Sequence, residues 1–92
     1  MARINIDIEY CVPCGYQNLA AWTVSEMFAA AGTDAAIALT PGDAGVYKIT
    51  VDGEVWFDKV DNDGNTPEIH QMKDLKARMR NYAEDKAAAP VG

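Results

Sequence analysis

The sequence predicts a two-layer α/β sandwich of order β-α-β-β-β-α, with a four-stranded mixed sheet and both helices on one face. Three observations lead there: a period-two stretch near the start, a helical stripe directly after it, and an Asp-Gly hairpin signal in the second half. Residues Ile4, Ile6, Ile8 and Tyr10 alternate with Asn5, Asp7 and Glu9. That is a strand with one buried and one wet face, so helices are expected on one side of the sheet only.

After Cys11-Val12-Pro13-Cys14-Gly15, a helix is expected from Tyr16 to Ala31. Tyr16, Leu19, Ala20, Thr23, Val24, Met27 and Ala31 share one of its faces, and Gly32 ends it. Ala35 to Leu39 reads as a short buried strand, parallel to the first through a right-handed crossover, and Thr40-Pro41-Gly42-Asp43 as a loop. Val46–Val51 and Glu54–Asp58 flank Asp52-Gly53, a two-residue hairpin turn. Asp61 to Asn65 reads as an open loop. Thr66 is then expected to cap a helix that starts at Pro67, with Ile69, Met72, Leu75, Met79, Tyr82 and Ala83 as its apolar stripe. One domain is expected over residues 1–86, with a flexible tail over 87–92.

Fourteen acidic residues against eight Lys and Arg give a net charge of -6. This offers no cationic footprint for nucleic acid or an anionic membrane, so neither is an expected partner. The acids are scattered, which fits an ordinary solvated surface or adaptation to high salt. No apolar run approaches membrane-spanning length, and the first residues lack the apolar core of a signal peptide, so a cytoplasmic location is expected.

The chain has two cysteines, Cys11 and Cys14, placed between a strand and its helix. A helix start offers unpaired N–H groups and a partial positive charge, which stabilise a thiolate, and the two-residue spacing lets the pair close a reversible disulfide. Pro13 stiffens the turn; Val12 and Gly15 complete it. An inert disulfide or a pair of small buried apolar residues is the plainer alternative. Zinc would need four ligands, and there is no second CxxC; His70, the one histidine, points off its helix stripe, so no metal site is assigned. The glycines are dispersed turn residues rather than a phosphate loop, and nothing in the pattern brings His70 to a cysteine as a catalytic dyad.

Tyr10-Cys11-Val12-Pro13-Cys14-Gly15-Tyr16, Ala21-Trp22, Glu26 and Pro41-Gly42-Asp43-Ala44-Gly45 together resemble the selenoprotein W-like (Rdx) family. The hairpin Val51-Asp52-Gly53-Glu54-Val55-Trp56 and the Pro67-Glu68…Leu75-Lys76…Arg78 stretch extend the resemblance from Ile4 to Tyr82. It implies a minimal thioredoxin-like sandwich and redox chemistry at the CxxC pair. It also aligns Cys14 with the selenocysteine of the family's vertebrate members. Thioredoxin itself carries a proline facing the disulfide; Ala44 and Gly45 stand in that stretch here, leaving room for a mixed-disulfide partner.

The expected function is thiol–disulfide exchange with a protein or a low-molecular-weight thiol, with no bound cofactor. The rival is a non-catalytic, redox-gated binding module. Trp22, on the polar side of the first helix, and Trp56, opposite Val55 and Phe57, either pack against neighbouring segments or form an aromatic docking patch for a partner. By analogy with thioredoxin, and because it precedes the turn, Cys11 is expected to attack and Cys14, partly covered by the helix, to resolve. The selenocysteine position argues the reverse.

Adaptation to brine would make the melting temperature climb steeply between low and molar KCl, as screening relieves carboxylate repulsion. A flat response in a thermal melt assigns the acids to ordinary solvated surface.

Overall fold

A computed structural model describes residues 3–32 and 35–88. Its elements are β1 (Ile4–Cys11), α1 (Gln17–Ala31), β2 (Ala35–Gly42), β3 (Tyr47–Val51), β4 (Glu54–Asp58), a 3-10 helix (Lys59–Asn62) and α2 (Ile69–Ala88). The sheet order is β2-β1-β3-β4. β1 pairs parallel with β2 and antiparallel with β3, and β3 pairs antiparallel with β4. This is the expected two-layer, thioredoxin-like α/β sandwich.

β1 is central, so both its backbone edges are committed to ladders. Its alternation sends Ile4, Ile6 and Ile8 into the core, where they meet Tyr47, Ile49 and Val51 of β3. Ala20, Thr23 and Met27 of α1 and Met72, Leu75 and Met79 of α2 close the layer from above. Glu26 of α1 and Lys76 of α2 bridge the two helices at 2.7 Å. Tyr10 breaks the alternation: it is half-buried, and Cys11 is buried in its place.

Four expectations are corrected. β2 is an edge strand rather than a buried one, with Leu39 44% exposed, because β1 is its only partner in the sheet. It continues through Thr40, Pro41 and Gly42, since their register with β1 persists to Cys11. Residues 59–62, which take in the first two residues of the expected Asp61–Asn65 loop, wind into a 3-10 helix whose Val60 N–H is capped by Asp58 Oδ1 at 3.1 Å. α2 begins at Ile69 rather than Pro67. Gln71 Oε1 accepts the Glu68 N–H at 2.9 Å, and Glu68 O accepts the first helical bond from Met72. A glutamine reaching back to the cap residue thus sets the start in place of Thr66, and Ile69 stands 70% exposed. α2 runs to Ala88, and residues 89–92 of the expected tail lie outside the described residues.

The Asp52-Gly53 turn has φ of 48° and 84°, the left-handed pair of a type I′ hairpin. A bulge follows in β4: Thr50 pairs with Val55 but Ile49 with Phe57. The extra residue puts Trp56 and Phe57 both against the core. Trp56 packs edge-on to Tyr82, centroids 5.3 Å apart, with the Arg78 guanidinium 4.0 Å over its ring. Trp22, set on the polar side by the wheel, is likewise half-buried and packed on the core.

Asp52 also ties the turn to both β1 and α2. Its Oδ1 accepts the Asn5 N–H at 2.9 Å, and its Oδ2 accepts from Tyr82 and, at 2.7 Å, from Lys86. Burial alone would raise its pKa; the bonds from Lys86, Tyr82 and Asn5 outweigh it and hold the carboxyl at about 2. The Tyr82 hydroxyl is pushed up to about 12, first by that bond and then by burial and nearby charge.

A depressed carboxyl stabilises the fold above its unfolded value of 3.8 and loses that contribution as pH falls toward 2. Asp52→Asn keeps the left-handed backbone, which Asn tolerates. The variant is expected to unfold at lower urea than the parent at neutral pH, with the gap closing between about pH 4 and pH 2. A gap that persists at the acid end would show that the carboxylate is not its source.

Candidate redox site

β1, β2 and β4 all end at the same edge of the sheet. That end carries the turn 12–16, the 43–46 connection, the 3-10 helix and the starts of both helices. The CxxC pair sits there as a disulfide, Cys11–Cys14, with Cα atoms 5.3 Å apart.

Cys11 is still part of the strand. Its N–H donates to Val46 O at 2.9 Å, it pairs in register with Gly42, and it is 0% exposed. Cys14 lies in the turn and is exposed. Gly15 N–H donates to Val12 O at 3.0 Å, closing a β-turn with Pro13 at its second position, where a fixed φ fits. Gly15 then takes φ 76°, a left-handed conformation that lets the chain enter α1.

α1 starts three residues after Cys14. Tyr16 occupies its cap position without a side-chain hydrogen bond, and the first turn carries no acid. The positive end of the helix is therefore uncompensated beside the exposed sulfur, which favours a thiolate there. This reverses the premise that put attack at Cys11: the first cysteine is the covered one because the strand does not end before it.

Tyr47, paired with Tyr10 in the ladder, is fully buried in the core at this end of the sheet. Its ring packs edge-on against Tyr16 at 5.9 Å and Phe57 at 6.4 Å. Its hydroxyl shares a hydrogen bond with Thr23, which itself donates to Leu19 O at 3.0 Å. Burial pushes the Tyr47 pKa up to about 12, against the Thr23 bond that lowers it, so the phenol stays protonated. In the 43–46 connection, Gly45 takes φ 82° and Val46 N–H donates to Asp43 O at 3.1 Å. Lys59 Nζ donates to Gly45 O at 2.9 Å and lies 5.6 Å from the centroid of the Tyr16 ring. Nothing in the spacing of Lys59 signalled this role; a lone cation following a strand, among acids, was the one available hint.

Of the residues singled out from sequence, Cys11, Val12, Pro13, Cys14, Gly15, Ala44 and Gly45 share this end of the sheet. Trp56 belongs to the β4–α2 contact with Tyr82, and Trp22 lies one turn and more down α1. Among the described residues no group of three or more His, Cys, Asp or Glu side chains could hold a metal ion, and no helix is long and apolar enough to cross a membrane.

A mixed four-stranded sheet, two helices on one face and a disulfide in the turn after the first strand define a thioredoxin-like CxxC domain. The sequence pattern of the Rdx family matches residues 5–81, and the chain belongs to that family. A Bordetella parapertussis protein of known crystal structure is 35% identical, with a TM-score of 0.74 over 88% of this chain and 99% of its own. A selenoprotein W-related protein from Vibrio cholerae is 26% identical, with a TM-score of 0.75 over 89% and 99%. No curated protein matches the chain.

Exposure and the helix end together predict the order of reactivity. In single-cysteine variants, Cys14 (in Cys11→Ser) is expected to be alkylated by iodoacetamide faster below about pH 7 than Cys11 (in Cys14→Ser). The opposite order would return the nucleophile to Cys11.

Proposed function

We propose that this protein exchanges disulfides with a thiol or disulfide partner, with Cys14 as the attacking sulfur and Cys11 as the resolving one. The observation that carries the reading is the asymmetry of the pair: an exposed Cys14 bonded to a fully buried Cys11. Membership of the Rdx family supports redox chemistry at this pair.

In the reducing direction the Cys14 thiolate attacks one sulfur of a partner disulfide. That S–S bond breaks, a Cys14–partner bond forms, and the other partner sulfur leaves as a thiolate that takes a proton from water. Cys11 then loses its proton and attacks Cys14 Sγ. The mixed disulfide breaks, the Cys11–Cys14 bond forms, and the second partner thiolate leaves. Two electrons pass from the dithiol to the partner, and a separate thiol donor restores the pair. The buried resolving sulfur is shielded from outside disulfides, which directs it to the mixed disulfide beside it. Operation as a reductant suits the cytoplasm, where thiol donors hold such pairs reduced.

With hydroxyethyl disulfide as substrate and a thiol donor present, the intact protein is expected to turn over. With the donor left out, Cys11→Ser should stall as a mixed disulfide detectable by mass, and Cys14→Ser should neither turn over nor trap. Redox-dependent binding of a protein without any turnover would favour a gated binding module instead.

A further inference from the structure

The resolving step needs a base. A thiol out of water holds its proton more firmly than an exposed one, and Cys11 is 0% exposed. It must give up that proton before it can attack Cys14, so the acceptor has to come from its neighbours.

Glu9 lies two residues earlier on β1 and is half-buried. Its partner on β2 is Thr40, but its side chain leans along the sheet toward Gly42. A Cβ on Gly42 would lie 2.5 Å from both Cγ and Oε2 of Glu9 and 2.8 Å from Cδ. The carboxylate therefore fills the place that a side chain at position 42 would take. Gly42 pairs with Cys11, and partners in a parallel ladder send their side chains to the same side of the sheet. Cys11 accordingly shares the side of Asn5, Asp7 and Glu9. It stands outside the core cluster on which Tyr10 packs, as that placement requires. The Glu9 carboxylate is thus one strand spacing, ~5 Å, from the Cys11 Cβ.

The charged groups around it are few. Asp7, on the same side of β1, accepts a hydrogen bond from the Thr40 hydroxyl. Lys48, the partner of Glu9 on β3, lies 4.0 Å from Asp58 of β4. β2 carries no charged residue, and Asp43 follows it in the connection to β3. Among the described residues, no hydrogen bond or ion pair occupies the Glu9 carboxylate.

We propose that Glu9 takes the proton of Cys11 in the resolving step, and that Gly42 is the opening that lets its carboxylate reach there. The proposal rests on the exchange chemistry above and names the base for its second half. With Cys14 joined to the partner, the Cys11 S–H bond breaks and its proton passes to a Glu9 oxygen. The Cys11 thiolate attacks Cys14 Sγ, the Cys11–Cys14 bond forms, and the partner sulfur leaves as a thiolate. Glu9, half open to solvent, returns the proton to water, which supplies one to the leaving thiolate. Two electrons pass from the dithiol to the partner, as before.

The test oxidises the reduced protein with hydroxyethyl disulfide and follows the mixed and intramolecular disulfides by acid quench and mass. In the parent the mixed disulfide should barely accumulate. In Glu9→Gln, which keeps the shape of the side chain and is expected to keep the parent's circular dichroism, it should form and then resolve about tenfold or more slowly near pH 6. The gap should narrow as pH rises toward about 9, because the thiol then ionises without help. Gly42→Ala keeps the carboxylate but displaces it, at a position without positive φ, and should slow resolution with the same pH dependence. Resolution as fast as the parent's in both variants overturns the proposal, and so does a slowing that is equal at every pH, which would mark Glu9 as structural. Either result leaves the exchange reading standing. A parent that forms no disulfide with the reagent defeats that reading instead.

Discussion

The central place of β1 organises the molecule. Hydrogen-bonded to β2 on one side and β3 on the other, it commits both backbone edges, so its side chains must serve two different faces. Its isoleucines feed the core, and its Asn5, Asp7 and Glu9 line the sheet face that no helix covers. Because the ladder holds until the Cys11 N–H reaches Val46 O, the first cysteine ends inside. The chain then has five residues to reverse into α1, and that reversal carries the second cysteine into solvent. The unequal exposure of the two sulfurs is thus a property of strand length.

The parts legible in the sequence are those governed by local chemistry. Alternation gave away β1, the stripe Ala20-Thr23-Met27 the buried face of α1, and Asp52-Gly53 the hairpin. What stayed hidden depended on partners distant in the chain. Ala35 to Leu39 is apolar enough for a central strand, and composition cannot say that only one neighbour pairs with it. The start of α2 turned on the Gln71 side chain reaching back to Glu68, a signal that competed with Thr66-Pro67. The bulge that swings Trp56 to the helix side has no sequence mark of its own. The CxxC spacing told that two sulfurs could meet; which one is covered depended on where β1 stops.

Polar links between the layers divide by position. Near the hairpin, Asp52 gathers donors from β1 and α2, and Arg78 both pairs with Glu54 at 2.8 Å and covers Trp56. Exposed pairs of this kind are each worth ~0–1 kcal/mol, so their effect is to set the angle of α2 on the sheet more than to hold it there. At the opposite end the links are to backbone carbonyls and between aromatic rings, as with Lys59 on Gly45 and Tyr16 on Tyr47. Of the carboxylates there, Asp58 caps the 3-10 helix at the Val60 N–H and lies 4.0 Å from Lys48, and Glu68 lies 3.3 Å from the His70 ring.

The disulfide joins residues only three apart in sequence. Closing so short a loop removes little conformational freedom from the unfolded chain; by the chain-entropy relation its contribution is about 2 kcal/mol, at the low end for cross-links in proteins. By the thermodynamic cycle that couples folding to reduction, a small stability difference between the two forms means that folding itself biases the couple only weakly. Any displacement of the midpoint potential by what surrounds each sulfur appears, by the same cycle, as an equal difference in stability between the two redox forms.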